Sequence, residues 1–303
     1  MIYFRFKTFT TSYYFPTLQT HQQYMYGLYS AYGSKLSKIY WNTFKKYNIV
    51  RSLTAISEEE LPFPYHQVKD ADGTNCLMAF NMGSPGIEQK ISILGYDNDT
   101  HIPFFAKFSQ KLAAQILTRN EIKIYQLLKD SSLTPQLLDY KIHPEYVYLK
   151  AEFVKGKRPK TTELTMPIVE LCLQLKEFHL TASRIDKQGL RLALAHGDFC
   201  PWNILMQENQ IKLIDWELAK DRPLGFDLFT YICQVSLLFT PNVELLQVID
   251  NHSSLIKHYF TKCNIDNYLP YLKAFAMEKA IYEKSKDNQS AYSKYHQLVT
   301  ILS

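Results

Sequence analysis

The chain has 303 residues, a net charge of +5, and a composition that is 46% hydrophobic and 14% aromatic. These values allow a substantial buried core and exclude a disordered or low-complexity chain. The five cysteines match neither a zinc pattern nor a disulfide framework, so a reducing cytoplasm is the expected setting. The N-terminus lacks the apolar core of a signal peptide, and no apolar run reaches transmembrane length.

Residues 1–65 are expected to form an extension that precedes the first lobe. Apolar residues recur at helical spacing among lysines, which predicts a basic amphipathic helix over 35–47. Such a helix could make a peripheral contact with an anionic membrane, but packing on the adjacent lobe is the simpler interpretation because a globular protein supplies apolar partners. The apolar residues of the predicted face are Leu36, Ile39, Tyr40, Phe44 and Tyr47.

Residues 66–154 have the pattern of a sheet-rich lobe. An extended run over 76–81 is followed by the turn Gly83-Ser84-Pro85-Gly86 and by a second extended run over 87–94. The glycines of this turn could let the backbone amides of Gly83, Ser84 and Gly86 approach a phosphate. A plain hairpin turn has the same composition, so both interpretations remain open.

Lys107 lies inside the apolar strand 103–108, where an ammonium is costly to bury without an anionic partner. The helix predicted over 111–129 supplies a candidate, because Glu121 shares a face with apolar residues and points inward. A buried ion pair between Lys107 and Glu121 is therefore predicted. In kinases such a pair positions the lysine on the nucleotide phosphates. The alternative is a Glu121 at the edge of the face that reaches solvent.

Lys155 to Pro159 break the strand pattern and mark the start of a second lobe, 155–303, that is mainly helical. Its chemistry is expected in the loop after the short apolar strand 192–195. There Asp198 is the candidate base that takes the proton of an acceptor hydroxyl. Asn203 offers a neutral oxygen and Asp215 a charged one, which is a ligand pair that Mg²⁺ prefers.

A β-hairpin explains how Asn203 and Asp215 could meet although they are distant in sequence. Two short runs, 203–206 and 211–215, are joined by four polar residues, which predicts a hairpin that returns Asp215 to the side of Asn203. Alternation along the second run places Asp215 on the same side as Ile211 and Leu213, at the polar end of an inward face. His196 is expected to brace the loop by hydrogen bonding.

Three motifs together resemble the aminoglycoside phosphotransferase and choline kinase-like family. They are His-Gly-Asp-Phe-Cys-Pro-Trp-Asn at 196–203, Ile-Asp-Trp-Glu at 214–217 and Pro-Leu-Gly-Phe-Asp-Leu at 223–228. The resemblance extends less sharply from about Cys76 to about Gln234. Residues 1–65 and roughly the last seventy residues lie outside it.

The resemblance implies a two-lobed, protein-kinase-like α+β fold, with an antiparallel-sheet first lobe and a mainly helical second lobe. It implies a nucleotide between the lobes, ATP or GTP as phosphoryl donor, and Mg²⁺ as cofactor. The partners are then the nucleotide and a small hydroxylated acceptor, and no nucleic acid is expected. A basic first half, with 20 Lys and Arg against 13 Asp and Glu in residues 1–160, suits a bound nucleotide.

Matching the motifs residue by residue also implies individual roles. Asp198 resembles the family's base, Asn203 and Asp215 its metal ligands, and Lys107 with Glu121 its phosphate-orienting pair. The segment from Glu152 to Val154 resembles the hinge whose backbone meets the adenine. Asp227 resembles the aspartate that supports the catalytic loop.

Two departures from protein kinases favour a small acceptor. Gly197 replaces the arginine of His-Arg-Asp, and only eleven residues separate Asp215 from Asp227, which leaves little room for a loop that displays a peptide. The identity of the acceptor stays open among a sugar, a glycan precursor, an amino alcohol and an aminoglycoside. An aromatic face with one carboxylate, Glu278, could hold a sugar or an amine, or could simply belong to the core. The alternative function is a catalytically silent nucleotide-binding module that docks to a partner or membrane.

Overall fold

The computed structural model describes residues 1–18, 22–29, 35–47, 51–159, 162–207 and 210–303. The chain divides into two compact units, Met1–Val154 and Lys155–Ser303. The first unit is built on one antiparallel sheet and the second is mainly helical, so the predicted α+β class is confirmed. No helix among the described residues is long and apolar enough to cross a membrane.

One eight-stranded sheet forms the centre of the first unit. Its strands in chain order are β1 (Ile2–Lys7), β2 (Ser12–Pro16), β3 (Ala55–Ser57), β4 (Cys76–Asn81), β5 (Ile91–Asp97), β6 (Pro103–Ser109), β7 (Leu137–Ile142) and β8 (Val147–Glu152). Their order across the sheet is β3-β1-β2-β4-β5-β6-β8-β7, and neighbouring strands are antiparallel. The first unit also contains the helices α1 (Gln22–Met25), α2 (Lys35–Lys46), α3 (Tyr65–Asp72) and α4 (Leu112–Leu127).

Both faces of the sheet are covered near β4, which explains why that strand reads as a continuous apolar run rather than an alternating one. Met78 and Phe80 face one buried cluster, which includes Val68 of α3. Leu77 faces the other cluster, together with Phe44 of α2. The chain therefore places a helix on each side of this part of the sheet.

Residues 1–65, treated from the sequence as an extension, contribute β1, β2 and β3 to the sheet. The helix predicted over 35–47 is present as α2, and it packs through Trp41 and through Phe44, which is the one member of the predicted face that is buried. The sequence prediction of that face was wrong because Trp41 was not included in it. Most of the residues assigned to the face are exposed, namely Leu36, Ile39, Tyr40 and Tyr47.

Helices and short strand pairs make up the second unit. The strands are β9 (Leu192–Ala195), β10 (Ile204–Gln207), β11 (Gln210–Leu213) and β12 (Lys220–Pro223), which pair as β9 with β12 and β10 with β11. The helices are α5 (Met166–Leu175), α6 (Phe226–Phe239), α7 (Leu245–Asn251), α8 (Ser253–Lys262), α9 (Leu269–Ser285) and α10 (Gln289–Ile301). The sequence did not predict β12, since its polar residues lack the strand pattern.

The predicted hairpin is present as β10 and β11, whose register pairs Ile204 with Leu213. Residues 208–209 of its loop lie outside the described residues. The second strand ends at Leu213, so strand alternation does not set the direction of Asp215, and that part of the prediction was wrong. Asp215 instead adopts a left-handed backbone with φ 69° and ψ 54°. Among non-glycine residues, aspartate and asparagine tolerate this conformation best, and such residues concentrate at functional sites.

Candidate active site

In the first unit, the predicted ion pair between Lys107 and Glu121 is present. Lys107 lies on β6 with its neighbours Ala106 and Phe108 turned to the apolar cluster, so its own side chain projects from the opposite face toward α4. Its Nζ lies 2.6 Å from Glu121 Oε2, and the two side chains are 5% and 1% exposed. Tyr125 Oη donates to the other carboxylate oxygen of Glu121 at 3.3 Å. A charge pair this deeply buried holds both groups in one geometry.

The turn that contains Gly83, Ser84 and Gly86 joins β4 to β5. Gly83 has φ 65°, and an added Cβ would lie 2.6 Å from the Lys90 carbonyl oxygen, so the position requires glycine. The Gly83 amide already donates to Asn81 Oδ1 at 3.0 Å, and Lys111 Nζ donates to the Gly86 carbonyl at 2.7 Å. These bonds support the turn itself. A phosphate contact of Gly83, Ser84 and Gly86 stays a prediction.

The predicted hinge begins at the end of β8. The Glu152 backbone amide donates to the Gln136 backbone carbonyl at 2.8 Å, and the Glu152 carboxylate accepts from the Gln136 backbone amide at 3.2 Å. Val154 is buried, and its backbone amide and carbonyl make no hydrogen bond with the described residues. Backbone groups without partners in the protein are available to a ligand, and an adenine edge could supply both a donor and an acceptor.

In the second unit, Asp227 at the start of α6 supports the loop that follows β9. Its Oδ2 accepts the His196 amide at 2.7 Å and its Oδ1 accepts the Gly197 amide at 3.0 Å. Burial raises the pKa of Asp227, while the hydrogen bonds from the two backbone amides oppose this shift. Asp227 thus fixes the two residues that immediately precede Asp198.

His196 braces the loop from the other side, as its position in the sequence predicted. The ring is fully buried, its Nδ1 accepts the Asp198 amide at 3.3 Å, and its Nε2 bonds to the Ile214 carbonyl at 2.9 Å. Because Nδ1 accepts, Nε2 is the donor, and the ring is in its neutral form. One imidazole therefore ties the backbone of Asp198 to the residue before Asp215.

Both carboxylate oxygens of Asp198 are held by side-chain amides. Asn203 Nδ2 donates to Oδ2 at 2.9 Å and Gln234 Nε2 donates to Oδ1 at 2.8 Å. Cys200 Sγ also donates to Oδ1 at 3.8 Å, whereas Oδ2 keeps a further lone pair that can accept a proton from an alcohol. The side-chain amides of Asn203 and Gln234 fix the orientation of the Asp198 carboxylate, and Asp198 stays partly exposed.

Asn203 is oriented in a way that fits a metal ligand. Its Nδ2 donates to the Asp198 backbone carbonyl and carboxylate, both at 2.9 Å, and its Oδ1 accepts no hydrogen bond from the described residues. The Ile214 amide donates to the Asn203 carbonyl at 3.0 Å, which brings the chain entering Asp215 beside Asn203. A neutral amide oxygen next to a carboxylate is a donor set that suits Mg²⁺.

Gln234 is a site residue that the sequence analysis missed. It lies two helical turns after Asp227 on α6, and residues seven apart share a face of a helix. Asp227 therefore supports the loop backbone while Gln234 reaches the Asp198 carboxylate from the same helix. A glutamine in an otherwise strongly apolar helix was the signal that could have identified it.

Comparison with known families identifies the family to which the chain belongs. A family model described as choline/ethanolamine kinase matches residues 108–297, which is more than half of the chain. The chain therefore belongs to the choline/ethanolamine kinase family, and the predicted resemblance is confirmed. The expectation that the last part of the chain lies outside the family was wrong, since the match continues through α9 and into α10.

Membership of this family makes the chain a phosphotransferase with an alcohol group as acceptor, as the sequence predicted. The coarse function is transfer of a phosphoryl group to a small molecule, within a protein-kinase-like fold. No curated protein matches the chain.

Solved structures offer only distant likenesses. One is amicoumacin kinase hAmiN in complex with AMP-PNP, Ca²⁺ and Ami, at 9% identity and a TM-score of 0.48, covering 69% of this chain and 85% of that one. Another is a putative fructosamine-3-kinase from Haemophilus somnus 129PT, at 12% identity and a TM-score of 0.46, covering 78% and 95%. Likenesses this weak say nothing about what the present chain acts on.

Proposed function

We propose that the chain transfers the γ-phosphoryl group of ATP to a hydroxyl group of a small molecule, with Mg²⁺ as cofactor and Asp198 as the base. The observation that carries this proposal is the Asp198 carboxylate, which Asn203 and Gln234 orient within a loop anchored by Asp227. A carboxylate held by two amide donors is preorganised, so little reorganisation is needed when a substrate binds.

In the proposed reaction, the acceptor oxygen forms a bond to the γ-phosphorus while the bond from phosphorus to the departing ADP oxygen breaks. The hydroxyl proton passes to the Asp198 carboxylate, during or after a largely dissociative transfer. Lys107, held by Glu121, binds phosphate oxygens of the donor. Asn203 Oδ1 and the Asp215 carboxylate would hold the metal, which neutralises charge on the phosphates.

Labelled ATP and GTP, incubated separately with pooled hydroxylated metabolites, test the proposed reaction. We expect a labelled product in at least one pool, its loss on addition of EDTA, and its loss in Asp198→Asn with Mg-nucleotide binding retained. Glu152 and Val154 belong to the proposed adenine-binding segment, so we expect ATP to be preferred over GTP. Absence of both transfer and slow ATP hydrolysis in the unmutated protein would favour the silent nucleotide-binding module instead.

We also propose that the N-terminal part of the chain makes a peripheral contact with an anionic lipid surface. Residues 1–57 contain seven Lys or Arg and no Asp or Glu. In the structure, Phe9, Leu36 and Ile39 are exposed, and a cavity of about 520 Å³ with Phe9, Leu36 and Tyr40 in its lining opens there. Exposed apolar side chains beside a net positive charge are the features that hold a protein at a lipid interface.

Vesicle flotation tests this contact. We expect binding to vesicles that contain phosphatidylserine and none to phosphatidylcholine vesicles, with loss of binding in the double variant Phe9→Ser and Leu36→Ser. Ile281→Ser removes an exposed apolar side chain from the second unit and serves as the matched control. Equal binding of all three proteins, or binding to nucleic acid instead of vesicles, would contradict the proposal.

The five cysteines are free and buried, which supports a reducing compartment such as the cytoplasm as the place of action.

A further inference from the structure

A cavity of about 540 Å³ opens beside Asp198, and all of its lining residues belong to the second unit. Helix α9 supplies much of the wall through Glu278, Lys279 and Tyr282, and β12 and α6 supply Arg222 and Phe226. The cavity has the size expected for a small-molecule site and reaches the proposed base. The charges in its wall therefore bear on which alcohol it accepts.

The aromatic faces in this wall are already occupied by cations of the protein. The Arg222 guanidinium lies 4.4 Å from the centre of the Phe226 ring, and Lys279 Nζ lies 5.4 Å from the centre of the Tyr282 ring. Lys286 Nζ lies 5.6 Å from the same Tyr282 ring. A quaternary ammonium such as choline is recognised by open aromatic faces. These two rings do not offer that kind of cage.

Two of the four carboxylates in the wall, those of Glu278 and Glu283, are held by neighbouring groups of the protein, and the other two belong to Glu217 and to the proposed base Asp198. Glu278 Oε1 accepts from Arg222 Nε at 2.8 Å and from Lys220 Nζ at 2.9 Å. Burial alone would raise the pKa of Glu278, but Arg222 and Lys220 hold it below its usual value. Glu283 accepts a hydrogen bond from Asn288 at 2.8 Å. A cationic amine entering the cavity would have to compete with two charged partners for Glu278.

Lys279 is the cation in this wall that lacks a carboxylate partner. It is 6% exposed, and its Nζ bonds to Gln234 Oε1 at 3.3 Å without an ion pair to any described residue. An ammonium carries three donors, so two remain for a ligand. A buried charge that is not paired within the protein is costly, and this cost is offset when a bound anion supplies the partner.

We propose that the acceptor is an anionic alcohol, whose carboxylate or phosphate group pairs with Lys279 while its hydroxyl group lies at Asp198. This inference rests on the proposed kinase function and specifies its substrate class. It departs from the choline and ethanolamine named by the family model, because the cations of the wall occupy the positions that a cationic headgroup would need. Gln234 connects the two ends of the site, since it accepts from Lys279 and donates to Asp198.

The test uses four pools of alcohols with labelled ATP, sorted by charge: cationic, neutral, carboxylate and phosphorylated. Choline and ethanolamine belong to the first pool, and the last two pools distinguish a carboxylate from a phosphate as the anchor. We expect product in an anionic pool alone. Product from the cationic or neutral pool overturns the inference and leaves the kinase function standing. The same holds if neither anionic pool gives product while slow, Asp198-dependent ATP hydrolysis persists. Failure of both transfer and hydrolysis overturns the kinase function as well.

Variants of Lys279, tested with the best anionic acceptor, separate binding from positioning. We expect Lys279→Met to raise the KM for the acceptor by about 100-fold, because it removes one partner of a buried charge pair, and Lys279→Arg to recover part of this loss. Lys284→Met changes an exposed lysine of the same helix and should keep the parent KM. A fall in kcat with unchanged KM would mean that Lys279 acts only through Gln234, and would overturn the assignment. Thermal melting confirms that each variant is folded.

Discussion

Gln234 Nε2 donates a 2.8 Å hydrogen bond to Asp198 Oδ1, from a helix that begins twenty-eight residues after Asp198. The bond fixes one oxygen of the carboxylate while Asn203 fixes the other. Asp198 is therefore oriented by two elements that are separate in the sequence. Its geometry depends on how α6 packs against the loop as well as on the loop itself.

We expect Gln234→Leu to lower kcat by about 10- to 100-fold, because a hydrogen bond to a charged group typically contributes about 1.5–3 kcal/mol. The KM for ATP should stay near the parent value, since Gln234 positions Asp198 and is not expected to touch the nucleotide. Steady-state kinetics with ATP and the identified acceptor measure both constants. Gln174→Leu, at an exposed position of α5, is the matched control. A change in the KM for ATP without a change in kcat would contradict the positioning role.

We expect Asp227→Asn to destabilise the second unit and to abolish most activity. The asparagine side chain keeps one oxygen acceptor but presents an NH₂ group toward one of the two backbone amides of His196 and Gly197. A buried donor without an acceptor costs about 1–3 kcal/mol. Urea unfolding measures the loss, with Asp250→Asn on the exposed side of α7 as control. Equal losses in the two variants would show that the amide contacts are unimportant.

Gly197→Ala is expected to disrupt the loop more strongly than the same change at another glycine with a left-handed backbone. Gly197 has φ 87°, and an added Cβ would lie 2.5 Å from the Leu218 carbonyl oxygen and 2.8 Å from an Arg222 nitrogen. Gly189 has φ 83°, but nothing lies within 4 Å of its added Cβ. Gly189→Ala should therefore be destabilised only by the cost of a left-handed backbone for alanine, about 1–2 kcal/mol. Differential scanning calorimetry and activity of the two variants give the comparison, and similar effects would contradict the close approach.

Variants of Lys107 and Glu121 should affect the free energy of unfolding and the phosphoryl-transfer activity differently. Either single variant, Lys107→Met or Glu121→Leu, leaves one buried charge without its partner and should cost about 3–5 kcal/mol of unfolding free energy. The double variant removes both charges and should recover much of that stability. Phosphoryl transfer should remain lost in all three, because Lys107, which makes the proposed phosphate contact, is either absent or no longer held in place by Glu121. Recovery of activity in the double variant would rule out the role of Lys107 at the donor phosphates.

Acid should destabilise the first unit partly through Asp72. Burial alone would raise the pKa of Asp72, but hydrogen bonds from Thr74, Tyr148 and Lys150 hold it below its usual value. Because the folded pKa is lower than the unfolded one, the stabilisation is fully present above the unfolded value of about 3.9 and is lost as pH falls through the folded pKa. Urea unfolding of the parent from pH 7 to pH 3 should show this loss. Asp72→Asn should be less stable at pH 7 and show a flatter profile, and parallel profiles would contradict the assignment.

Much of the site could be predicted from local sequence because its parts are close in the chain. The loop from His196 to Asn203 and the hairpin that follows need only strand pattern, turn composition and ligand chemistry to be recognised. Glu121 could be assigned to Lys107 because one strand and the next helix bring them together. The face of α2 was predicted wrongly, since helical periodicity shows which residues share a side but does not show which side is covered.

The sequence by itself allowed the candidate site to be predicted: a proposed base, two proposed metal ligands, a lysine with its carboxylate partner, and a fold with a sheet-rich and a helical part. These depend on residue types at short spacing, where local geometry allows few arrangements. Only the tertiary structure decided which groups surround the base and the acceptor. Gln234 and Lys279 come from helices far along the chain; Gln234 of α6 bonds to Asp198, and Lys279 of α9 bonds to Gln234. Among the described residues Lys279 has no carboxylate ion-pair partner, and pairing of this kind depends on three-dimensional neighbours that no sequence pattern displays.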